Sequence, residues 1–272
     1  MTGILVNGRS PDEMYRRLLE EVASQPDVPP NPLPSVITPH AGFFIDDLPG
    51  KKRYRLHNVV VDEEPFKGLW VLEWGKQLLC GGEPHRQDEW SELTKSEEEK
   101  VSPAPFVIAT IFALHDNQNT SNVQQRDLVH CVKEMFKDDF DPTKPYKMSS
   151  TRLAYVPAQN VDITQHWYGY PIFQRDVSKN IAGPNGYIGS GFEDFTEATL
   201  GTRNIGKLEQ SIVWLTGKRP YAYRLNKSKN REERALVLGC YGNGFGVADG
   251  SIYGSRPARG LVAVRAQNGV SQ

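Results

Sequence analysis

Two kinds of chemistry can be looked for in this chain. The first is catalytic. His115 stands beside Asp116 and His130 beside Cys131, pairs that could serve acid–base or thiolate chemistry. Neighbouring residues on a helix point in different directions, however, so His130 and Cys131 do not face one another, and both histidines read better as structural or solvated groups. Glu193, Asp194 and Glu197 could offer oxygens to Ca²⁺, but their spacing is not that of a calcium loop. They read instead as acidic residues at the start of a helix, favoured by its dipole. The second kind is contact chemistry. Between Cys240 and Arg259, glycines at 242, 244, 246, 250 and 254 are interleaved with Tyr241, Asn243, Phe245, Val247, Asp249, Ser251, Ile252, Tyr253, Ser255 and Arg256. No Lys, Glu, Gln, Met or Trp occurs in that interval. Glycine fixes an unusual backbone path, and tyrosine, serine and arginine supply aromatic area and adaptable hydrogen bonds, as in antibody paratopes. These ten residues are the candidate ligand contacts, with Tyr221 and Tyr223 as further candidates. For Phe245, Val247 and Ile252 the alternative is that they anchor the segment in the core.

Composition narrows the function classes. The chain has 272 residues, with 32 basic and 33 acidic side chains and a formal net charge of -1, so nothing draws it to nucleic acid or to an anionic membrane. Lys51-Lys52-Arg53 and Arg231 to Arg234 are short basic patches that read as solvated faces. Cys80, Cys131 and Cys240 are odd in number and far apart, which fits free thiols rather than a disulfide framework or a zinc site. No cofactor motif is evident: Tyr187-Ile-Gly-Ser-Gly-Phe192 contains Gly-x-Gly without the strand–helix unit that a dinucleotide needs. No apolar run is long enough to span a bilayer, and the first residues do not read as a secretory signal.

The elements that must position the contact residues can be read in outline. Pro11–Ala23 is expected as a helix capped by Ser10, and Pro26–Pro39 as an extended connector. Strands are expected at Tyr54–Val61, Leu69–Trp74, Ser149–Pro157, Leu208–Leu215 and Ala222–Asn226. Pro105–Leu114 is apolar enough to be buried. Asn122 should cap a helix running to about Phe136 with Val123, Leu128, Val129, Val132 and Phe136 inward, and Phe192–Leu200 should be a short helix. Trp70, Trp74 and Trp90 could form a glycan platform but read as core or an oligomer interface. Ala235–Leu238 and Leu261–Val264 read as buried strands bracketing the glycine-rich segment.

The order of these C-terminal pieces resembles the C-type lectin fold. The pieces are a tryptophan in a strand at Val213-Trp214, the strand Tyr221–Asn226, the lead-in Arg234-Ala-Leu-Val-Leu-Gly239, a polar glycine-rich excursion, and the closing strand Arg259–Arg265. The resemblance covers roughly the last 60 residues. It is greatest to the subgroup shared by formylglycine-generating enzymes and the variable proteins of diversity-generating retroelements. In those variable proteins, adenine-directed mutagenesis at Asn codons cannot yield Lys, Glu, Gln, Met or Trp, the residues missing between Cys240 and Arg259. The family's common Gly-Gly-x-Trp opening stands here as Gly239-Cys240-Tyr241-Gly242, a departure from the pattern.

The resemblance implies an α+β chain with a C-type lectin-like ligand-binding domain over residues 105–272 and an N-terminal helix, proline-rich segment and strands over 1–104. It implies non-catalytic recognition of a macromolecular ligand, a protein or glycan on a cell surface, with display on a virion or cell surface, or else a cytoplasmic location. A virion assembly protein, with the Cys240–Arg259 segment buried, is one alternative. A formylglycine-generating-type enzyme is another, weakened because only Cys240 of the cysteine pair that such chemistry uses is present.

Overall fold

The computed structural model describes residues 42–157, 160–167, 172–177, 181–225, 232–241 and 244–266; of residues 172–177, Glu232 and Asp249 only the backbone is described. The expected helix at Pro11–Ala23 and connector at Pro26–Pro39 lie outside these residues, as does Asn243. The fold is α+β. A first sheet takes strands β1 (Phe44–Leu48), β2 (Arg53–Val61), β3 (Gly68–Leu78), β4 (Lys100–Val101) and β12 (Arg259–Arg265) in the antiparallel order β1-β2-β3-β12-β4. A second sheet takes β5 (Lys147–Val156), β6 (Val161–Trp167), β7 (Ile172–Val177), β8 (Gly186–Tyr187), β9 (Arg219–Tyr223), β10 (Glu232–Tyr241) and β11 (Gly244–Ser251). Its order is β7-β6-β5-β10-β11-β9-β8, antiparallel except where β11 runs parallel to β9. Because β12 sits between β3 and β4, residues on both sides of residue 104 share the first sheet.

Helix α2 (Ala104–Asp116) is the centre of the molecule. Its apolar residues run all round, the pattern of a helix with no solvated face, and Phe106, Ile108, Ile111 and Leu114 are fully buried. Trp74 Nε1 donates to Thr110 Oγ1 at 3.0 Å, and the free amide of Ala104 donates to Thr151 Oγ1 at 3.0 Å, tying α2 to both sheets. Around it pack α3 (Val123–Asp139), α4 (Glu193–Leu200) and α5 (Ile205–Thr216), so that one apolar core joins the two sheets. Asn122 caps α3 by accepting from the Gln125 amide at 3.1 Å, as its type predicts. Gln125 also protects the β1 edge: its amide group donates to Ile45 O at 2.9 Å and accepts from Ile45 N at 2.6 Å, in the place of a further strand. At the other end of α3, Arg259 and Asp139 form a buried fork, with Nη2 to Oδ1 at 2.8 Å and a second contact from Nε to Oδ2.

Several expectations need correction. Leu208–Leu215 is not a strand but most of α5: Leu208, Ser211, Ile212 and Leu215 form its buried stripe, Asn204 caps its start and Gly217, at φ 69°, ends it. The tryptophan expected in a strand, Trp214, is therefore on a helix. Val123 opens α3 at the surface rather than inward. Arg53 is no solvated base: it is buried on β2 and engages Glu73, Glu98 and Glu99. The glycine-rich segment is not one excursion either, since its first half is the hairpin of β10 and β11. Short helix α1 (Gln87–Leu93) carries Asp88 and Glu89 in its first turn and buries Trp90.

Candidate functional site

Strand β11 explains the glycine spacing. Its sequence alternates large residues, Phe245 and Val247, with small ones, Gly244, Gly246, Ala248 and Gly250. Side chains of a strand point alternately to the two faces, so the large set enters the core and the small set forms a flat outer face. Phe245 and Val247 are both 0% exposed. Opposite them on β10, Leu236, Leu238 and Cys240 point inward, while Ala235, Val237 and Gly239 continue the outer face.

Aromatic rings lie on that glycine floor. A Cβ built on Gly239 would stand 2.6 Å from Tyr146 Cδ1, one on Gly246 would stand 2.9 Å from the Tyr146 hydroxyl, and one on Gly244 would stand 3.1 Å from Tyr221 Cβ. At Gly239 the absence of a side chain is what lets the root of the Tyr146 ring come so close to the sheet. Tyr146 is carried there by the turn after α3, where Asp141 Oδ1 accepts from the Thr143 amide at 2.8 Å. On β9, Tyr221 and Tyr223 pack ring to ring at 4.8 Å, and Tyr187 of β8 meets Tyr221 edge-on at 5.1 Å. Arg219 sits 5.1 Å from the Tyr187 ring and is paired with Glu209 at 2.6 Å. Tyr241 stands at the end of β10, 68% exposed. Among the described residues, the hydroxyls of Tyr146, Tyr187, Tyr221, Tyr223 and Tyr241 have no hydrogen-bond partner.

The segment between β11 and β12 crosses the remaining part of the outer face and is sewn down. Arg256 and His85 exchange backbone hydrogen bonds at 3.2 and 3.0 Å, and Trp90 Nε1 donates to Arg256 O at 2.8 Å. Met148 N donates to Pro257 O at 2.8 Å, and Leu79 N to Ala258 O at 3.0 Å. Beneath, Trp90, Val101, Met148, Ala235, Val237, Ala248 and Ala258 form a second small core. Arg256 therefore has a fixed backbone and an exposed side chain. Its guanidinium donates to Ser255 O at 2.7 Å, and no carboxylate of the described residues pairs with it.

Between Arg256 and the turn 142–146 the rings enclose an open groove of about 500 Å³, walled by Pro142, Pro145, Tyr146, Tyr223 and Tyr241 with Lys144 and Arg256 as its cations. Lys144 also reaches Asp138. Burial, reinforced by Tyr223, Cys240 and Tyr241, pushes the Tyr146 phenol up to about 12, and burial also raises Tyr223. The Cys240 thiol, inside the sheet, is pushed up by burial despite a hydrogen bond with Thr216, which makes it a poor nucleophile.

Of the expected contacts, the structure gathers Tyr223, Tyr241 and Arg256 around the groove and Tyr221 beside it. Tyr253, 63% exposed, and Ser251 and Ser255 line the surface of the crossing segment, where Ser251 Oγ accepts from Tyr253 N at 3.2 Å. Phe245 and Val247 are removed from the set: strand alternation puts both in the core. Ile252 is half-buried against the second small core. The backbone of Asp249 is in β11, while its side chain, like all of Asn243, lies outside the described part of the chain. Sequence reasoning missed Tyr146, Tyr187 and Lys144. The signal for Tyr146 was the period-two run of small residues at 244, 246, 248 and 250, which marks a strand face that something bulky must cover.

The other candidates are dispersed. His130 is exposed on α3, and His115 packs edge-on to Trp214 at 5.5 Å, with Asp116 engaged by Lys207 at 2.7 Å. Glu193 and Asp194 open α4, where Arg203 meets Asp194 at 3.0 Å and also reaches Glu197. Trp70, Trp74 and Trp90 are buried, not a platform. Cys80 and Cys131 are exposed free thiols and Cys240 a buried one. No helix among the described residues is long and apolar enough to cross a membrane. Comparison of the chain with protein-family models, curated proteins and solved structures finds no match.

Proposed function

We propose that this chain is a recognition protein, with a C-type lectin-like scaffold displaying a diversifiable binding face to a protein or glycan target. The observation that carries this reading is the group of five tyrosines, Tyr146, Tyr187, Tyr221, Tyr223 and Tyr241, gathered on one sheet face. Tyrosine offers large contact area with few rotors to immobilise, and a ready hydrogen-bonding tip. The scaffold separates structure from contact: Phe245 and Val247 secure β11 from below, so Tyr241, Tyr253, Ser255 and Arg256 can change without disturbing the core. The lectin-like reading is supported by the lead-in Arg234–Gly239 and the closing segment Arg259–Arg265, both of which are strands. The helical position of Trp214 departs from it. Display on a virion or cell surface belongs to the same proposal.

The test is binding of the tagged full chain to a panel of microbial cells and to glycan and protein arrays, beside a Tyr221→Ser/Tyr223→Ser/Tyr241→Ser variant whose fold is checked by circular dichroism. Saturable binding lost in the folded variant supports the reading. Binding that is unchanged in the variant places recognition elsewhere and overturns it.

A further inference from the structure

Resting on that recognition reading, we infer that the groove takes an extended, proline-containing acidic segment of a protein partner. Three properties of the groove select this class. First, its floor is closed to main-chain pairing. Strand β11 pairs with both β10 and β9, and β10 pairs with β11 and, as far as Leu238, with β5, so an incoming peptide cannot insert between these strands. Recognition must run through side chains.

Second, the groove is rich in donors. Arg256, Lys144 and the hydroxyls of Tyr146, Tyr223 and Tyr241 can all donate, and among the described residues no carboxylate or carboxamide lines the walls. A polyproline II segment is the complementary ligand: its carbonyls make no internal hydrogen bonds, and each proline lacks an N–H that would need an acceptor. An oligosaccharide, by contrast, brings as many donors as acceptors. Proline rings also pack on tyrosine faces and on Pro142 and Pro145, and the extended helix is already ordered before it binds.

Third, the charge is one-sided. Arg256 is held by its backbone at the rim, exposed and without a carboxylate among the described residues, and a guanidinium donates a two-pronged hydrogen bond to a carboxylate. Lys144 adds a second cation that it shares with Asp138. An acidic residue flanked by prolines satisfies both the rings and the arginine.

The experiment is fluorescence anisotropy of the full chain with labelled octapeptides. The probe is Pro-Pro-Glu-Pro-Pro-Glu-Pro-Pro, and the comparators carry Lys for Glu or Gly for Pro. An acidic oligogalacturonate is titrated in parallel. The inference expects the acidic proline peptide to bind about tenfold or more tightly than either comparator. Tyr241→Ala and Arg256→Ala, both at exposed side chains, should each weaken it by about tenfold, and Tyr241→Phe by severalfold. Equal binding of all three peptides, or affinities unmoved in both variants, would overturn it. Oligogalacturonate binding at the same tyrosines without peptide binding also overturns the ligand class, while leaving recognition by this face intact. Binding of neither probe sinks the inference, and the cell and array experiment then decides the broader reading by itself.

Discussion

Replacing Gly239 by alanine places a methyl group 2.6 Å from Cδ1 of the Tyr146 ring and 3.2 Å from the α-carbon of the same residue. The first approach is closer than carbon atoms tolerate and involves the ring near its root, so the ring must leave the floor of the groove. Overpacking of this kind costs about 1–3 kcal/mol. An opposing gain of ~0.4–1 kcal/mol comes from the stiffer unfolded chain, because Gly239 sits in ordinary strand conformation that alanine can adopt. The net expectation is a loss of about 1–2 kcal/mol. The informative experiment is a double-mutant cycle by urea denaturation. With Tyr146→Ala in the background the ring clash is gone and only the milder approach to the main chain of residue 146 remains, so Gly239→Ala should become close to neutral. The coupling energy is then about 1–2 kcal/mol. An equal cost of Gly239→Ala in both backgrounds would refute the claim that this glycine exists to seat Tyr146.

Other consequences can be measured on the same protein. Removing one partner of the buried fork by Asp139→Ala leaves Arg259 charged inside the fold and should cost about 3–5 kcal/mol in denaturant titration; a cost below about 1 kcal/mol would mean that the guanidinium escapes to water. The Tyr146 phenol has a usual value of 10.0 and a folded-state value of about 12. Its folded value lies above its unfolded one, so the stability linked to it is complete below about pH 10 and is lost as the pH rises through about 12. Absorbance titration at alkaline pH of the protein and of Tyr146→Phe should differ by one phenol with that high value; a difference near 10 would contradict it. Phe245→Ala should cost about 3–5 kcal/mol while Tyr241→Ala stays within ~0.5 kcal/mol. Comparable losses at the two sites would show that core and contact surface are not separated.

How far the sequence could be read depended on whether the determining contacts were local. The cap at Asn122, the buried run at Pro105–Leu114 and the helix at Glu193–Leu200 rest on near neighbours, and each was legible. Helix α5 was missed because Ile212-Val213-Trp214 resembles a strand, although Leu208, Ile212 and Leu215 have helical spacing between Asn204 and Gly217. For the site, Tyr221, Tyr223, Tyr241 and Arg256 were candidates from residue type alone, whereas the roles of Phe245 and Val247 required the strand period. Placing Tyr146 needed a pairing between β10 and β5 that brings residues some 90 positions apart together, with Val237 opposite Met148 and Leu238 opposite Lys147. Nothing local encodes that pairing, nor the parallel pair of β9 with β11, nor the insertion of β12 between β3 and β4.

On the proposed reading a fixed sheet presents an exchangeable face, and natural sequence variation reports on that exchange. Deep sequencing of the part of the gene that encodes residues 234–265 across populations of its source should find substitutions concentrated at the codons for Tyr241, Asn243, Tyr253, Ser255 and Arg256. They should be adenine-templated from a near-identical copy nearby and should spare Phe245 and Val247. Substitutions spread evenly along the gene, or falling as often on Phe245 and Val247 as on the tyrosines, would contradict the account.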